Sequence, residues 1–276
     1  MPSVEIENLS FSYPGNPQVI LQDVSMTAGD GEFICVLGQS GCGKSTLLRL
    51  LAGLEKPVSG ALRVDGVPIA GASLDRGVVF QDYSLFPWMT AGDNLLLALK
   101  KRFPGKKKTE LKEIALSSLR DVGLGEDAYK KLPKELSGGM QQRVAIAQVF
   151  STDPSVLLMD EPFGALDAVT RAKLQDLIAR LCEKARPKKT VFFVTHDVDE
   201  AMLLADRVVV LGQSPSRIIY EHRLTAEEKA TRENQFDKPE TLRLRNRLIS
   251  ELNRNITGIL AEDPTPGIDN ASCDAI

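Results

Sequence analysis

Cysteine is scarce in this 276-residue chain. There are four, Cys35, Cys42, Cys182 and Cys273, and no two form a CxxC pair. Histidine is scarcer still, with His196 and His222 alone, neither at ligand spacing from a cysteine. A disulfide framework or a zinc site is therefore not expected, and reduced thiols are. Long apolar runs are missing as well. The stretch TLLRLLAGL (46–54) carries Arg49 and is far shorter than the roughly 20 residues of a membrane span. If the protein works at a membrane, another chain must hold it there. The opening MPSVEIENLSFSY has neither the basic nor the apolar region of a signal peptide. No charge of one sign dominates: the net charge is −3, which offers no global basic field to recruit nucleic acid. No repeat appears at solenoid periods.

What remains is the composition of an ordinary globular chain, 43% hydrophobic and 26% charged. Its length suffices for one full core. The first part reads as strands and turns. VEIENLSFSY alternates apolar and polar residues, GEFICVLG (31–38) is a buried-strand run, and 44–53 reads as a helix. ALRVDGVPI (61–69) contains a DG turn, a hairpin signal, and RGVVF (76–80) is another short strand. From about 92 to 150 the period becomes helical. Strands return at SVLLMDEP (155–162), TVFFVTHD (190–197) and VVVLG (208–212), with a helix over 168–185. This order predicts an α/β core with a helical insertion at about 88–152. Residues 1–220 then form one domain and 221–276 a polar extension. In the extension, Leu244, Leu248, Leu252, Ile256 and Ile259 mark an amphipathic helix that docks on the domain. The last sixteen residues have the composition of a disordered tail, and His222 is expected to be solvated.

The chemistry begins at GQSGCGKST, residues Gly38, Gln39, Ser40, Gly41, Cys42, Gly43, Lys44, Ser45 and Thr46. It matches G-x-x-x-x-G-K-[ST] and lies between an apolar strand and an apolar helix, the context this phosphate loop requires. Glycines let the backbone wrap close to phosphate. Exposed amides and the helix N-terminus attract the anion. Lys44 is placed to reach the β- and γ-phosphates, and Ser45 to ligate Mg²⁺. Cys42 sits at an unconstrained position, as a small filler or a redox-sensitive thiol. VLLMDEP (156–162) is a second apolar strand that ends in carboxylates. Asp160 suits the Mg²⁺ shell, and Glu161 is placed to polarise an attacking water.

Those two elements are shared by kinases, GTPases and helicases. LSGGMQQRVAIA (136–147) narrows the class. Ser137, Gly138 and Gly139 open an amphipathic helix, giving a second anion-binding helix terminus. One phosphate loop already holds one nucleotide, so a second terminus points to a composite site between two copies of the chain.

With these motifs the sequence resembles the ATP-binding subunits of ABC transporters over about residues 4–215. GQSGCGKS corresponds to Walker A, LLMDE to Walker B and LSGGMQQR to the family signature. The resemblance implies a P-loop NTPase (RecA-like) core with an antiparallel β region and a helical subdomain. It also implies roles for further residues. Tyr13 would stack on adenine, and Gln81 would arrange Mg²⁺ and water. Ala165, Leu166 and Asp167 would link the two sites, and His196 would contact the γ-phosphate. Glu161 would be the general base. Ser137, Gly138 and Gly139 would cover the partner's ATP. Met140 and Gln148 depart from the commoner Gln and Arg of the pattern, outside the groups that contact nucleotide.

Aromatics are few, fifteen in all, yet four of them (Phe80, Tyr83, Phe86 and Trp88) crowd into VVFQDYSLFPWMT, residues 78–90. This stretch is similar to that of importers of nitrate, sulfonate, taurine and bicarbonate. Tyr83, Phe86 and Trp88 have two readings, a surface that meets the permease or packing inside the helical subdomain. KKRFPGKKK (100–108) reads as a solvated loop, with contact to anionic lipid as a second reading. The implied partners are a second, identical ATPase subunit, integral membrane permease subunits and, indirectly, a solute-binding protein, with no nucleic acid. The implied location is peripheral, on the cytoplasmic face of the membrane.

Overall fold

The computed structural model describes residues 3–164, 166–234 and 237–260, with 255–260 by backbone alone. Ala165, Cys273, the side chains of Ile256 and Ile259, and the tail expected to be disordered (261–276) lie outside the described residues.

Two sheets organise the chain. The larger has six strands in the order β10-β9-β3-β8-β7-β6. They are β3 (Phe33–Leu37), β6 (Arg76–Val79), β7 (Val156–Asp160), β8 (Thr190–Thr195), β9 (Arg207–Leu211) and β10 (Ile218–Arg223). All neighbours run parallel except β10, which is antiparallel to β9. Strands β3, β8 and β9 are buried along their whole length. That is what a parallel sheet covered on both faces requires, and it explains their near-continuous apolar sequence.

Alternation along these strands feeds two cores. Ile34, Val36, Leu158, Phe192, Val194 and Val209 face α1 (Lys44–Ala52) and the smaller sheet. Cys35, Leu37, Met159, Phe193, Val208 and Val210 face the remaining helices. The smaller sheet is antiparallel in the order β2-β1-β4-β5, from β1 (Val4–Ser12), β2 (Val19–Ala28), β4 (Ser59–Val64) and β5 (Val67–Pro68). The DG turn closes β4 on β5, with φ of 51° at Asp65 and 72° at Gly66, the left-handed pair a two-residue hairpin needs.

Strands β6 and β7 are paired neighbours, yet the chain between them makes a helical excursion. It comprises α2 (Ala91–Arg102), α3 (Lys108–Asp121), α4 (Glu126–Tyr129), a short 3₁₀ turn at Pro133–Glu135 and α5 (Gly138–Ser151). The helical insertion expected from the change of period is therefore present. In the basic run, Arg102 pairs with Asp75 at 2.8 Å and Lys106 lies over the Phe103 ring, while the other lysines are exposed.

Three elements escaped the sequence reading. β2 has an Asp23 at φ 53° and irregular pairing with β1, which break its visible alternation. β10 is an edge strand with polar residues on its outer face. α7 (Val198–Leu204) is too short to show a period. The remaining helices are α6 (Ala168–Lys184) and α8 (Pro239–Leu260).

The extension differs from its polar appearance. Leu224 and Ala230 are buried, and Arg232 donates to Asp176 at 2.7 Å and to Gln175 at 2.9 Å. His222 is not merely solvated. Its Nε2 lies 2.9 Å from Glu228 Oε2, and its ring stacks on Tyr220. α8 docks as its apolar stripe suggested: Leu244 and Leu248 are buried, and Leu252 packs at the margin.

The Leu248 side chain is 0% exposed, so Leu248→Ala leaves a cavity under α8 and is expected to cost about 2–4 kcal/mol. Equilibrium denaturant unfolding measures this; a loss below about 0.5 kcal/mol would mean that α8 does not dock.

Candidate functional site

Parallel strands align their carboxyl ends, and here the registers set four of them side by side. Leu37 of β3 pairs with Thr195 of β8, Asp160 of β7 with Val194, and Val79 of β6 with Met159. The residues that leave these strands therefore share one edge of the sheet: Gly38 onwards, His196, Glu161 and Gln81. Open parallel sheets bind ligands at such an edge.

The phosphate loop leaves β3 and enters α1 through left-handed glycines, φ 81° at Gly41 and 94° at Gly43. Gly43 permits a close approach besides: a Cβ there would sit 2.9 Å from Leu21. Lys44 is 5% exposed and donates to the carbonyls of Gly38 and Gln39, both at 2.9 Å. Its Nζ lies 3.8 Å from Glu161 Oε1. The Ser45 hydroxyl donates to Asp160 Oδ1 at 2.9 Å. Burial pushes the Asp160 carboxyl up, against the lowering effect of that hydrogen bond. Tyr13 lies at the loop's flank, its hydroxyl 3.2 Å from Thr46 Oγ1 and its ring edge-on to Phe11. Ser40 is exposed. Cys42 is 2% exposed, and burial raises its thiol pKa despite nearby Lys44. It is the small filler and not an accessible thiol.

Glu161 adopts φ 41°, a left-handed conformation costly for a residue with a side chain. Its amide bonds to the Val194 carbonyl, and its own carbonyl accepts from Gly164. Held so, its Oε2 lies 3.1 Å from His196 Nδ1. The His196 side chain is 62% exposed. A Cβ on Gly164 would meet both the Gln81 amide and the Glu161 carboxylate within 4 Å, so these two side chains flank that glycine.

A second cluster lies elsewhere on the chain. Ser137 caps α5 and accepts from the Met140 amide, and Asp167 caps α6 with bonds from Val169 and Thr170. Those backbone donors, Thr170 first, hold the Asp167 carboxyl below its ordinary range. Ser137, Gly138, Gly139, Leu166, Asp167 and Thr170 line one open groove of about 680 Å³. Among the described residues no hydrogen bond or ion pair joins this groove to Lys44, Ser45, Asp160 or Glu161. The expected site residues thus form two groups on one chain.

The loop after Gln81 is tied by Asn94, which is 0% exposed. Its Oδ1 accepts from the Phe86 amide at 2.8 Å, and its Nδ2 donates to Met89 and Thr90 carbonyls at 3.1 and 2.9 Å. This knot leaves Trp88 73% and Phe86 38% exposed, their rings 5.5 Å apart. The reading that all three aromatics pack inside the helical insertion is therefore wrong. Tyr83 turns the other way, its hydroxyl near Gly138.

A buried network behind His196 was not legible in the sequence. Thr195 donates to Glu200 Oε2 at 2.6 Å, Gln175 donates to Oε1 at 3.1 Å, and Arg232 holds Gln175. Thr195 and Glu200 are five residues apart, but Gln175 and Arg232 come from remote segments that no local spacing joins to them.

The motif set and the edge geometry define a P-loop ATPase. The ABC transporter family model matches residues 21–164. The nitrate import ATP-binding protein NrtD of Synechococcus elongatus is 50% identical over 212 residues, covering 77% of this chain and 76% of that protein. The bicarbonate transport ATP-binding protein CmpD of the same organism is 46% identical over 222 residues, covering 80% and 79%. A dimeric post-hydrolysis state of the ATP-binding cassette MJ0796, bound to ADP and Pi, superposes with a TM-score of 0.71. That match has 31% identity and covers 81% of this chain and 99% of the other. The chain belongs to the ABC transporter family, as an ATP-binding subunit with ATPase activity.

Glu200 supplies a pH prediction. Burial raises its pKa above the ordinary 4.5, so its ionised form costs stability above the folded pKa, and that cost vanishes as pH falls below the unfolded one. Glu200→Gln keeps a carbonyl for Thr195 but turns an NH2 toward the Gln175 amide donor, a loss that does not change with pH. The melting temperature of the variant relative to the wild type is therefore expected to be most favourable at pH 8 and to fall as the pH drops toward 4.5. Paired melting curves across that range check the sign.

Proposed function

We propose that this chain energises the import of a small anion across a membrane, of the nitrate, bicarbonate, sulfonate or taurine kind, by closing a homodimer around two ATP molecules. The observation that carries the reading is the split site. Lys44, Ser45, Asp160, Glu161 and His196 share one sheet edge, while the signature terminus at Ser137 opens into a separate groove. A γ-phosphate contacted by both needs a second copy, and the neighbouring cassette dimer lends support. The anion class draws its support from relatives named for nitrate import and for bicarbonate transport.

In this reading Gly38, Gln39, Ser40, Gly41, Cys42 and Gly43 wrap the phosphates with backbone amides, and Lys44 neutralises the β- and γ-phosphates. Thr46 and Tyr13 flank the nucleotide, Tyr13 beneath the adenine. Ser45 and Asp160 are adjacent hard oxygen donors, with a carboxylate whose burial a cation would offset. That donor set fits Mg²⁺, with Gln81 completing it, and the ion would supply charge neutralisation at the phosphates. Glu161 accepts the proton of the attacking water, and His196 bonds the γ-phosphate and steadies Glu161. Ser137, Gly138 and Gly139 cap the partner's γ-phosphate, and Asp167 transmits between the sites.

Residues 1–220 form the ATPase domain, 88–152 its helical subdomain and 221–276 the extension. Among the described residues no helix is long and apolar enough to cross a membrane. In this reading a permease holds the chain at the cytoplasmic face, and exposed Trp88 and Phe86 are the anchors it meets. A binding protein delivers the solute to that permease.

Glu161→Gln is the test. It should retain ATP binding, lower turnover about 10²- to 10⁴-fold and trap an ATP-bound dimer in size-exclusion chromatography. Wild-type turnover in this variant would remove Glu161 from its role. Uptake of nitrate, bicarbonate and sulfonates in a strain lacking the gene identifies the solute; uptake unchanged for all of them would overturn the anion class. Trp88 emission should shift when the purified permease is added, and an unchanged spectrum would remove Trp88 from the interface.

A further inference from the structure

α8 lies outside every motif of the nucleotide site, yet two of its groups reach that site's supports. Arg245 forks onto Asp199, Nε to Oδ1 at 2.6 Å and Nη2 to Oδ2 at 3.2 Å. Asp199 stands in the first turn of α7, three residues beyond His196. Seven residues along α8, the Leu252 carbonyl accepts from Gln39 Nε2 at 3.1 Å. Gln39 belongs to the phosphate loop, and its Oε1 accepts from Gln213 at 3.0 Å. Seven residues are two helical turns, so both contacts fall on one face of α8, about 10 Å apart along its axis. Between them Leu248 is fully buried, which fixes the helix against the domain. One docked helix thus spans the loop that leaves β3 and the segment that leaves β8.

We propose that Arg245 is a positioning residue of the ATPase site, setting the His196 segment through Asp199 while the same helix holds Gln39. The inference rests on the reading of His196 and the phosphate loop given above. The His196 ring is mostly exposed and bonded to Glu161, so its place depends on the backbone from Thr195 to Asp199. Asp197 caps α7 by accepting from the amides of Asp199 and Glu200. Glu200, buried under Thr195 and Gln175, and Arg171 near Asp197 hold the inner side of that turn, and Arg245 holds its outer side through Asp199. The ion pair is about one-third exposed, at 31% and 37%. A pair so exposed adds little to global stability, whereas its two-pronged geometry fixes orientation. The contact therefore matters for where α7 begins more than for whether the protein folds.

Steady-state ATPase kinetics of the full chain, with melting temperature and ATP binding measured alongside, test the proposal. Arg245→Ala should lower kcat about three- to tenfold, with KM for ATP and melting temperature near wild type. Arg245→Lys, which keeps the charge but loses the fork, should recover part of the loss. Asp199→Asn should match Arg245→Ala, and the double variant should be no worse than either single. Wild-type kcat in Arg245→Ala, additive losses in the double variant, or a kcat loss that only tracks a lower fraction of ATP-binding protein would each overturn it. Glu161→Gln separates the two readings. Turnover surviving that change defeats the assignment of Glu161, while the coupling of Arg245 to Asp199 is still scored by its own cycle.

Discussion

The pairing of β3, β8, β7 and β6 in one parallel register is the constraint on which the rest depends. A parallel sheet buried on both faces leaves little room for charge in mid-strand, and Arg76 and Arg207 stand at the first positions of β6 and β9. Polar chemistry is pushed to the strand ends, and the register puts four of those ends on one line. Lys44, Asp160, Glu161, Gln81 and His196 come from segments far apart in sequence, and the sheet alone makes them neighbours. The two cores that sandwich it, one under α1 and the smaller sheet and one under the remaining helices, keep that line rigid.

The site is assembled at a cost in local energy. Glu161 holds a left-handed backbone, Asp160 is a carboxylate raised by burial, and Glu200 behind them is raised the same way. Each is unfavourable alone, and each is held by a hydrogen bond from a neighbouring element: the Glu161 amide on the Val194 carbonyl, the Ser45 hydroxyl on Asp160 and the Thr195 hydroxyl on Glu200. Such strain and perturbed acidity concentrate where a protein does chemistry. The Asn94 knot works likewise at the other end of the same segment. One buried amide satisfies the backbone of the loop that presents Trp88 and Phe86 to solvent. Gln81 and this exposed pair are separated by a few residues, which gives the nucleotide edge and an outward surface a short covalent link.

Much of the fold was legible because its signals are local. The apolar runs of β3, β7, β8 and β9 are contiguous, the DG turn is a dipeptide, and the helical insertion announces itself by period. β2, α7 and β10 were not legible. An interrupted alternation, a seven-residue helix and a polar edge strand look like loop until the neighbouring strand or helix is in place. The extension misled for the same reason. Leu224, Ala230 and Arg232 are sparse among polar residues, but each meets a partner supplied by the domain. His222, expected in solvent, found Glu228 and Tyr220.

The sequence by itself determined the class of chemistry. A glycine loop, a lysine, a strand-end acid pair and a Ser-Gly-Gly helix start are short motifs whose function follows from the backbone conformation they permit. Only the tertiary structure decided how they are grouped. It put Lys44, Ser45, Asp160, Glu161 and His196 on one edge, sent Ser137 to a groove of its own, and turned Trp88 outward. It also brought Arg245 to Asp199 and Leu252 to Gln39. Those relations join residues tens to hundreds of positions apart, and strand register and helix docking set them, which no local pattern of side chains encodes.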